Sequence, residues 1–229
     1  MSRNRKALQE VIIAIVVLAM VFSIWPALDI YVSRQFYADI HGFWLNRQPA
    51  VQALREMIWA LILLTFLVAL AGLVFSRIFR TTAPAMNKVW EVIVMTYLLG
   101  PALLVDGILK AQWGRARPAN ITEFGGPQEF SPALRLSDQC PSNCSFVSGE
   151  GAGATAMLIA VMLVLRNQKS GRYSRLAGRI AIAIAVTGLG LRIVMGRHFL
   201  SDTLFAVLFV TLIALLLLQL KRYRNIRLF

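Results

Sequence analysis

Six stretches of this chain approach the roughly 20 apolar residues that an α-helix needs to cross a bilayer. They fall at about residues 11–28, 57–76, 89–109, 148–165, 180–196 and 203–220. A chain with that pattern is expected to be all-α, a polytopic membrane protein of six transmembrane helices. No internal repeat, low-complexity tract or soluble insertion interrupts it, so residues 1–229 read as a single domain.

A net charge of +13 would ordinarily raise nucleic acid as a partner, but 58% of the residues are hydrophobic and the charges sit in the gaps between the apolar runs. They therefore read as topology signals, and no nucleic-acid partner is expected. Fifteen basic residues belong to one set of connections: Arg3, Arg5, Lys6, Arg77, Arg80, Lys88, Arg166, Lys169, Arg172, Arg175, Arg179, Lys221, Arg222, Arg224 and Arg227. Nine belong to the other: Arg34, Arg47, Arg55, Lys110, Arg115, Arg117, Arg135, Arg192 and Arg197. The richer set belongs inside, which makes both termini cytoplasmic and turns the poorer set outward. The basic N-terminus and its apolar run resemble the start of a signal peptide. No small-residue cleavage site follows, and Trp25-Pro26 stands where one would be, so the first helix reads as retained.

The outward connections hold the residues with chemistry. The chain has two histidines. One, His198, lies between the fifth and sixth apolar segments. If the sixth helix begins near His198, Asp202 follows one turn later on the same face. A carboxylate there can hold one ring nitrogen and leave the other free to attack. Arg192 interrupts the fifth segment, and with Arg197 it supplies cations for an anionic substrate. The other histidine, His41, has no partner that spacing reveals, and reads as solvated or capping.

Two more stretches are ambiguous alone. Lys110-Ala-Gln-Trp-Gly-Arg-Ala-Arg117-Pro118 places three cations and a tryptophan together, which an interfacial anchor would also do. Asp106, four residues before Lys110, reads as a partner that positions it. Glu91, three residues after Lys88, reads as half of a surface pair, and Pro101 as a kink. In Ser148-Gly149-Glu150-Gly151, small residues open a helix and leave backbone N–H groups bare, either for a phosphate or for close helix packing. Glu150 sits at the membrane edge, where a carboxylate needs a partner or a proton. Cys140 and Cys144, four apart on the outward side, suggest a small disulfide loop, and the chain supplies too few His and Cys ligands for a metal site.

Together the three stretches resemble the type 2 phosphatidic acid phosphatase (PAP2) family of membrane-embedded lipid phosphate phosphatases. The family pattern is a lysine, six intervening residues and Arg-Pro; then Pro-Ser-Gly-His; then Ser-Arg, five residues, His, three residues and Asp. This chain has Lys110…Arg117-Pro118 within 110–118, Val147-Ser148-Gly149-Glu150 over 147–150, and Leu191-Arg192…His198…Asp202 over 191–202. The resemblance implies that His198 attacks phosphorus to form a phosphohistidine, with Asp202 orienting the ring and stabilising its charge. Lys110, Arg117 and Arg192 would clamp the phosphoryl oxygens with Ser148 and the Gly149 amide, and water would release phosphate. No cofactor or metal is implied.

Three positions depart from the pattern. Val147 replaces Pro, Leu191 replaces Ser, and Glu150 replaces the histidine that protonates the leaving oxygen. A glutamate serves as that acid only if burial raises its pKa, and nearby cations oppose this. Three outcomes stay open: a working acid, a substrate that needs little acid help, or an enzyme impaired on ordinary esters. The expected substrate is a lipid phosphate or pyrophosphate in a bacterial inner membrane, approached from the periplasm. Undecaprenyl pyrophosphate and lipid A phosphates are favoured over phosphatidylglycerol phosphate and phosphatidic acid. The alternatives are a phosphotransferase using the same intermediate, and a non-catalytic lipid-phosphate binder or transporter.

Overall fold

The helix with the smallest side chains lies at the centre. It is α6 (Gly149–Asn167), whose Gly151, Ala152, Gly153, Ala154, Ala156 and Ala160 are all buried. Without a hydrophobic drive between helices in lipid, close backbone approach at small residues is what gives such a helix contact on several sides. Within its apolar window 61% of α6 is buried, against 6% for the first helix, which packs on the rim.

The computed structural model describes residues 3–79, 84–168 and 173–228. Around α6 stand α1 (Arg3–Ile24), α3 (Pro49–Phe79), α4 (Pro84–Tyr97), α7 (Ser174–Val194) and α8 (Leu200–Gln219). A short helix, α2 (Ala27–Arg34), lies in the first connection at the α6 N-terminal end. α6 touches α3, α4, α7 and α8, while α1 leans on α8. Among the described residues, six helices are long and apolar enough to cross a membrane, and they correspond to the six expected. Five start earlier than the apolar runs, α1 and α3 by the widest margin. α1 runs from Arg3 and α3 from Pro49, so Arg55 belongs to a helix rather than to a connection. Exposed Ile13, Val16, Leu64 and Leu67 on these two helices form the surface offered to lipid.

Pro101 does not simply kink its helix. Beyond Tyr97 the rod continues as a π-helical stretch, Leu98–Leu109, with Pro101 inside it, and ends in a last turn, α5 (Lys110–Gln112). The wider register tolerates a residue with no N–H to donate.

At the end that carries both termini, Glu91 accepts from Arg222 at 2.6 and 2.8 Å and from the Tyr223 hydroxyl at 3.1 Å. Arg77 is a second ion-pair partner. Glu91 is thus gripped by residues from α3 and the C-terminal segment, not by its sequence neighbour Lys88. Asn4 donates to the Ile226 carbonyl at 2.9 Å, which ties the two termini together.

The opposite end is capped by the first connection and by the long loop before α6. Phe43, Ala116, Ile121, Phe124 and Phe199 form a small apolar cluster there, with Tyr37 and Phe130 against it. The loop doubles back along the chain: the Ser137 and Ser145 amides donate to the Trp113 and Arg115 carbonyls at 3.0 and 2.8 Å. Gly114 makes this possible, because its φ is +68° and a Cβ would strike the Ser137 carbonyl. Cys140 and Cys144 are joined in a disulfide within the same loop.

Candidate active site

The turn from α7 to α8 delivers the histidine. After Val194 the chain bends through Gly196, and the Arg197 and His198 amides both donate to the Arg192 carbonyl, at 3.0 and 3.1 Å. The α8 helix begins at Leu200, with Phe199 as its N-cap. His198 is therefore two residues ahead of the helix, just before its N-cap, and not on its first turn as the spacing suggests. Asp202 takes the third helical position and reaches back to the Phe199 amide at 2.9 Å, where a carboxylate suits the positive helix end.

This shift changes who holds the ring. His198 is 2% exposed, and its Nδ1 lies 2.8 Å from the Ser145 carbonyl oxygen. Asp202 Oδ2 stands farther off, at 3.8 Å from Nδ1. A carbonyl oxygen only accepts, so Nδ1 carries the proton and Nε2 keeps its lone pair. Burial pushes the imidazole down to about 4, with Arg192 and Lys110 pressing the same way and Asp202 pulling against them. At neutral pH the ring is uncharged, as a nucleophile requires.

Behind the ring is a buried chain of charge that sequence reasoning missed. Arg115 has no exposed side-chain surface; it donates to Asp202 Oδ1 at 2.5 Å, to Asp29 Oδ2 at 2.8 Å and to the Ser201 hydroxyl at 2.9 Å. Its guanidinium also lies 4.2 Å from the centre of the Phe199 ring. Asp29 accepts in turn from the Ser201 amide at 2.9 Å and hydroxyl at 2.5 Å. Asp202 Oδ2 accepts from the Ser145 hydroxyl at 2.5 Å. Breaking one partner out of a buried pair of this kind costs about 3–5 kcal/mol, because the other charge is left uncompensated.

In front of the ring the balance reverses. Arg117 and Arg197 repel one another, and Arg192 feels Arg55, Arg197 and Arg117. Burial and Arg197 together lower the pKa of Arg117, which has one donor on the Asn143 carbonyl at 2.8 Å. Arg192 is buried, and its Nε has no partner. A guanidinium N–H left without an acceptor beside other cations is a place for an anion's oxygen.

Lys110 reaches over the start of α6. Its ammonium pairs with Asp106 at 3.1 Å, the i, i+4 partner that the spacing indicated. A Cβ on Gly149 would come within 2.5 Å of Lys110 Nζ and 2.9 Å of Asp106 Oδ1, so any side chain there would push the lysine tip and its partner aside. Ser148 caps the helix, accepting from the Gly151 amide at 3.1 Å, and its own amide donates to the Asp202 carbonyl at 3.2 Å. The three sequence stretches thus meet at one end of the bundle.

Glu150 has a partner that spacing did not reveal. Arg55, from α3, donates to both its oxygens at 2.7, 3.0 and 3.1 Å, and Arg192 Nη1 lies 3.2 Å away. Guanidinium groups offer donors only, so both face Glu150 as an acceptor. A proton on the carboxyl would displace these contacts. Beside Gly149 and Asp106 an apolar groove of about 200 Å³ opens between α3 and the π-helical stretch, lined by Trp59, Ile62, Phe66 and Tyr97. Among the described residues, no three His, Cys, Asp or Glu side chains converge as metal ligands.

Comparison with known proteins gives the family and the fold. Residues 89–226 match the model of the PAP2 superfamily. The chain is 34% identical over 217 residues to a lipid A 4′-phosphatase of Rhizobium leguminosarum, covering 86% of this chain and 91% of that protein. It is 33% identical over 197 residues to a lipid A 4′-phosphatase of Francisella tularensis subsp. novicida, covering 82% and 84%. A lipid A 4′-phosphatase of Rhizobium etli is 32% identical over 217 residues, covering 86% and 82%. This chain shares its fold with the crystal structure of a transmembrane PAP2-type phosphatidylglycerolphosphate phosphatase from Bacillus subtilis. That likeness has a TM-score of 0.59 at 20% identity, over 95% of this chain and 98% of the other. The chain belongs to the PAP2 superfamily. It is a phosphatase of that class, built as an all-helical membrane protein.

Proposed function

We propose that this protein removes the 4′-phosphate of lipid A through a phosphohistidine on His198, without a metal ion. The observation that carries the substrate is the likeness to lipid A 4′-phosphatases over more than four fifths of both chains. Of the outcomes left open for Glu150, a substrate that needs little acid help does not fit this choice: a 4′ oxygen is an ordinary secondary alkoxide, neither anomeric nor a pyrophosphate. The mechanism is supported by a neutral imidazole whose proton is on Nδ1 and by the cations Lys110 and Arg192, whose charge acts on the ring, with Arg117 near Arg192. Phosphoryl transfer asks chiefly for positioning and for positive charge around the equatorial oxygens.

In this reading Nε2 attacks phosphorus and the P–O bond to the lipid breaks. The ring becomes a cation with Asp202 beside it, and water then displaces phosphate from the ring. Glu150 acts as the anchor that holds Arg55 and Arg192 toward the site, so the proton for the leaving oxygen comes from another source. Residues 1–229 form one domain with one site. The termini lie in the cytoplasm and the site opens to the periplasm of the inner membrane, in keeping with the fifteen-to-nine division of basic residues.

The test is phosphate release by detergent-purified protein, with chelator present, from lipid A, undecaprenyl pyrophosphate, phosphatidylglycerol phosphate and phosphatidic acid. The expected result is preference for lipid A. Preference for another lipid reassigns the substrate. Transfer of phosphate to an added lipid alcohol, instead of release, marks a phosphotransferase. Binding of lipid A with no turnover, and turnover restored by Glu150→His, marks a binder.

A further inference from the structure

Asp29 lies in the first connection, far in sequence from the three motifs, yet it is 1% exposed and meets the back of the nucleophile's support through Arg115. Burial holds its carboxyl above the usual carboxylate range, with Arg115 pulling the other way. Its bonds are those of a carboxylate: the Ser201 amide and Arg115 are fixed donors, one to each oxygen, and the Ser201 hydroxyl accepts from Arg115 and so turns its own proton to Asp29.

Counting charge along the line gives a reason for it. Asp29 and Asp202 are negative and Arg115 is positive, so with a neutral His198 the cluster carries one net negative charge. When the ring takes a phosphoryl group at Nε2 while Nδ1 keeps its proton, the ring becomes cationic and the cluster becomes neutral. Without Asp29, Arg115 would cancel Asp202 and leave nothing to balance the ring. We propose that Asp29 is a positioning residue that, through Arg115, keeps the charge of Asp202 available to the phosphohistidine. This rests on the phosphohistidine reading above.

The structure dictates the test. Asp29→Asn keeps the volume and one acceptor for the Ser201 amide, but removes the charge facing Arg115. The double variant Asp29→Asn/Arg115→Met removes the pair together and returns the cluster to one negative charge. Rapid-quench assays on lipid A would record the rate constant for the first turnover, the burst amplitude per protein, and KM. The phosphohistidine account predicts a rate about 30-fold lower for Asp29→Asn, with amplitude unchanged and KM within about threefold. The double variant should return to within about tenfold of wild type.

A purely structural role gives another pattern: fewer active molecules, hence a smaller amplitude, with the rate constant unchanged. That result, or a double variant slower than the single, overturns the proposal. If Asp29→Asn does not fold, the double variant alone decides, with a rate within about tenfold of wild type as support and a slower one as refutation. His198→Ala runs alongside: turnover that survives it refutes the phosphohistidine reading itself, whereas its loss with a normal Asp29→Asn rate refutes only the role of Asp29.

Discussion

Each end of the bundle holds a glutamate gripped by two arginines, and the two clusters do different things. At the end carrying the termini, Glu91 meets Arg77, Arg222 and the Tyr223 hydroxyl. The arginines there are more than half exposed, so water shares their charge. At the other end, Glu150 meets Arg55 and Arg192, and the surplus begins there. Lys110, Arg117 and Arg197 add positive charge, Asp106 offsets only Lys110, and the Arg192 Nε is buried without an acceptor. Two arginines on a glutamate make a clamp in the first place and, in the reading proposed above, part of an anion site in the second. Residue type does not distinguish them. What does is whether water or protein completes the charge balance.

Variants can sharpen that comparison. The largest effect belongs to Arg192→Ala, which removes the buried, unpartnered donor: kcat/KM should fall about 10³-fold. A loss within tenfold in a steady-state assay would break the distinction between the two ends. Acid titration comes next. Because burial holds the His198 pKa near 4, the ring stays neutral and nucleophilic above that pH and is lost to protonation below it. The acid limb of kcat/KM should therefore lie near pH 4 rather than near 6.5, with activity about tenfold lower one pH unit below the midpoint. A limb at 6.5, at constant lipid and detergent, contradicts the buried-ring geometry.

A smaller change is expected at Glu150. If it anchors Arg55 and Arg192 as an acceptor, Glu150→Gln keeps part of the contact and should cost about fivefold to tenfold in kcat/KM. A loss approaching that of Arg192→Ala would make Glu150 the missing acid. The smallest activity effect belongs to the other end. Glu91→Gln should leave kcat/KM within about twofold, while the apparent melting temperature drops by roughly 2–4 °C. If activity collapses instead, the two clusters are coupled through the bundle and the comparison fails.

Much of this could be read from local spacing. Six apolar runs fix six spanning helices, and the i, i+4 rule pairs Asp106 with Lys110. What spacing missed is held across the fold. Arg55 and Glu150 are 95 positions apart, and Asp29 lies 86 from Arg115. No periodicity connects such residues. By sequence Arg55 reads as part of a connection because it precedes the apolar run, whereas the helix extends two turns past the run's edge. One signal was available: Glu150 at the membrane edge required a partner, and an arginine two positions before an apolar segment could supply it. The His198 environment was legible in part. The ring and Asp202 are close, but the helix starts at Leu200, so a backbone carbonyl from the long loop, not the carboxylate, takes Nδ1.

The central claim is that His198, backed by the Ser145 carbonyl and Asp202, is the nucleophile of a lipid A 4′-phosphatase. The most direct test is the mass of lipid A after incubation with equal amounts of folded wild-type and His198→Ala protein in the presence of chelator. The account predicts loss of a single phosphate, from the 4′ position, with wild type and none with the variant. Equal dephosphorylation by both, or an unchanged lipid with wild type, would contradict it.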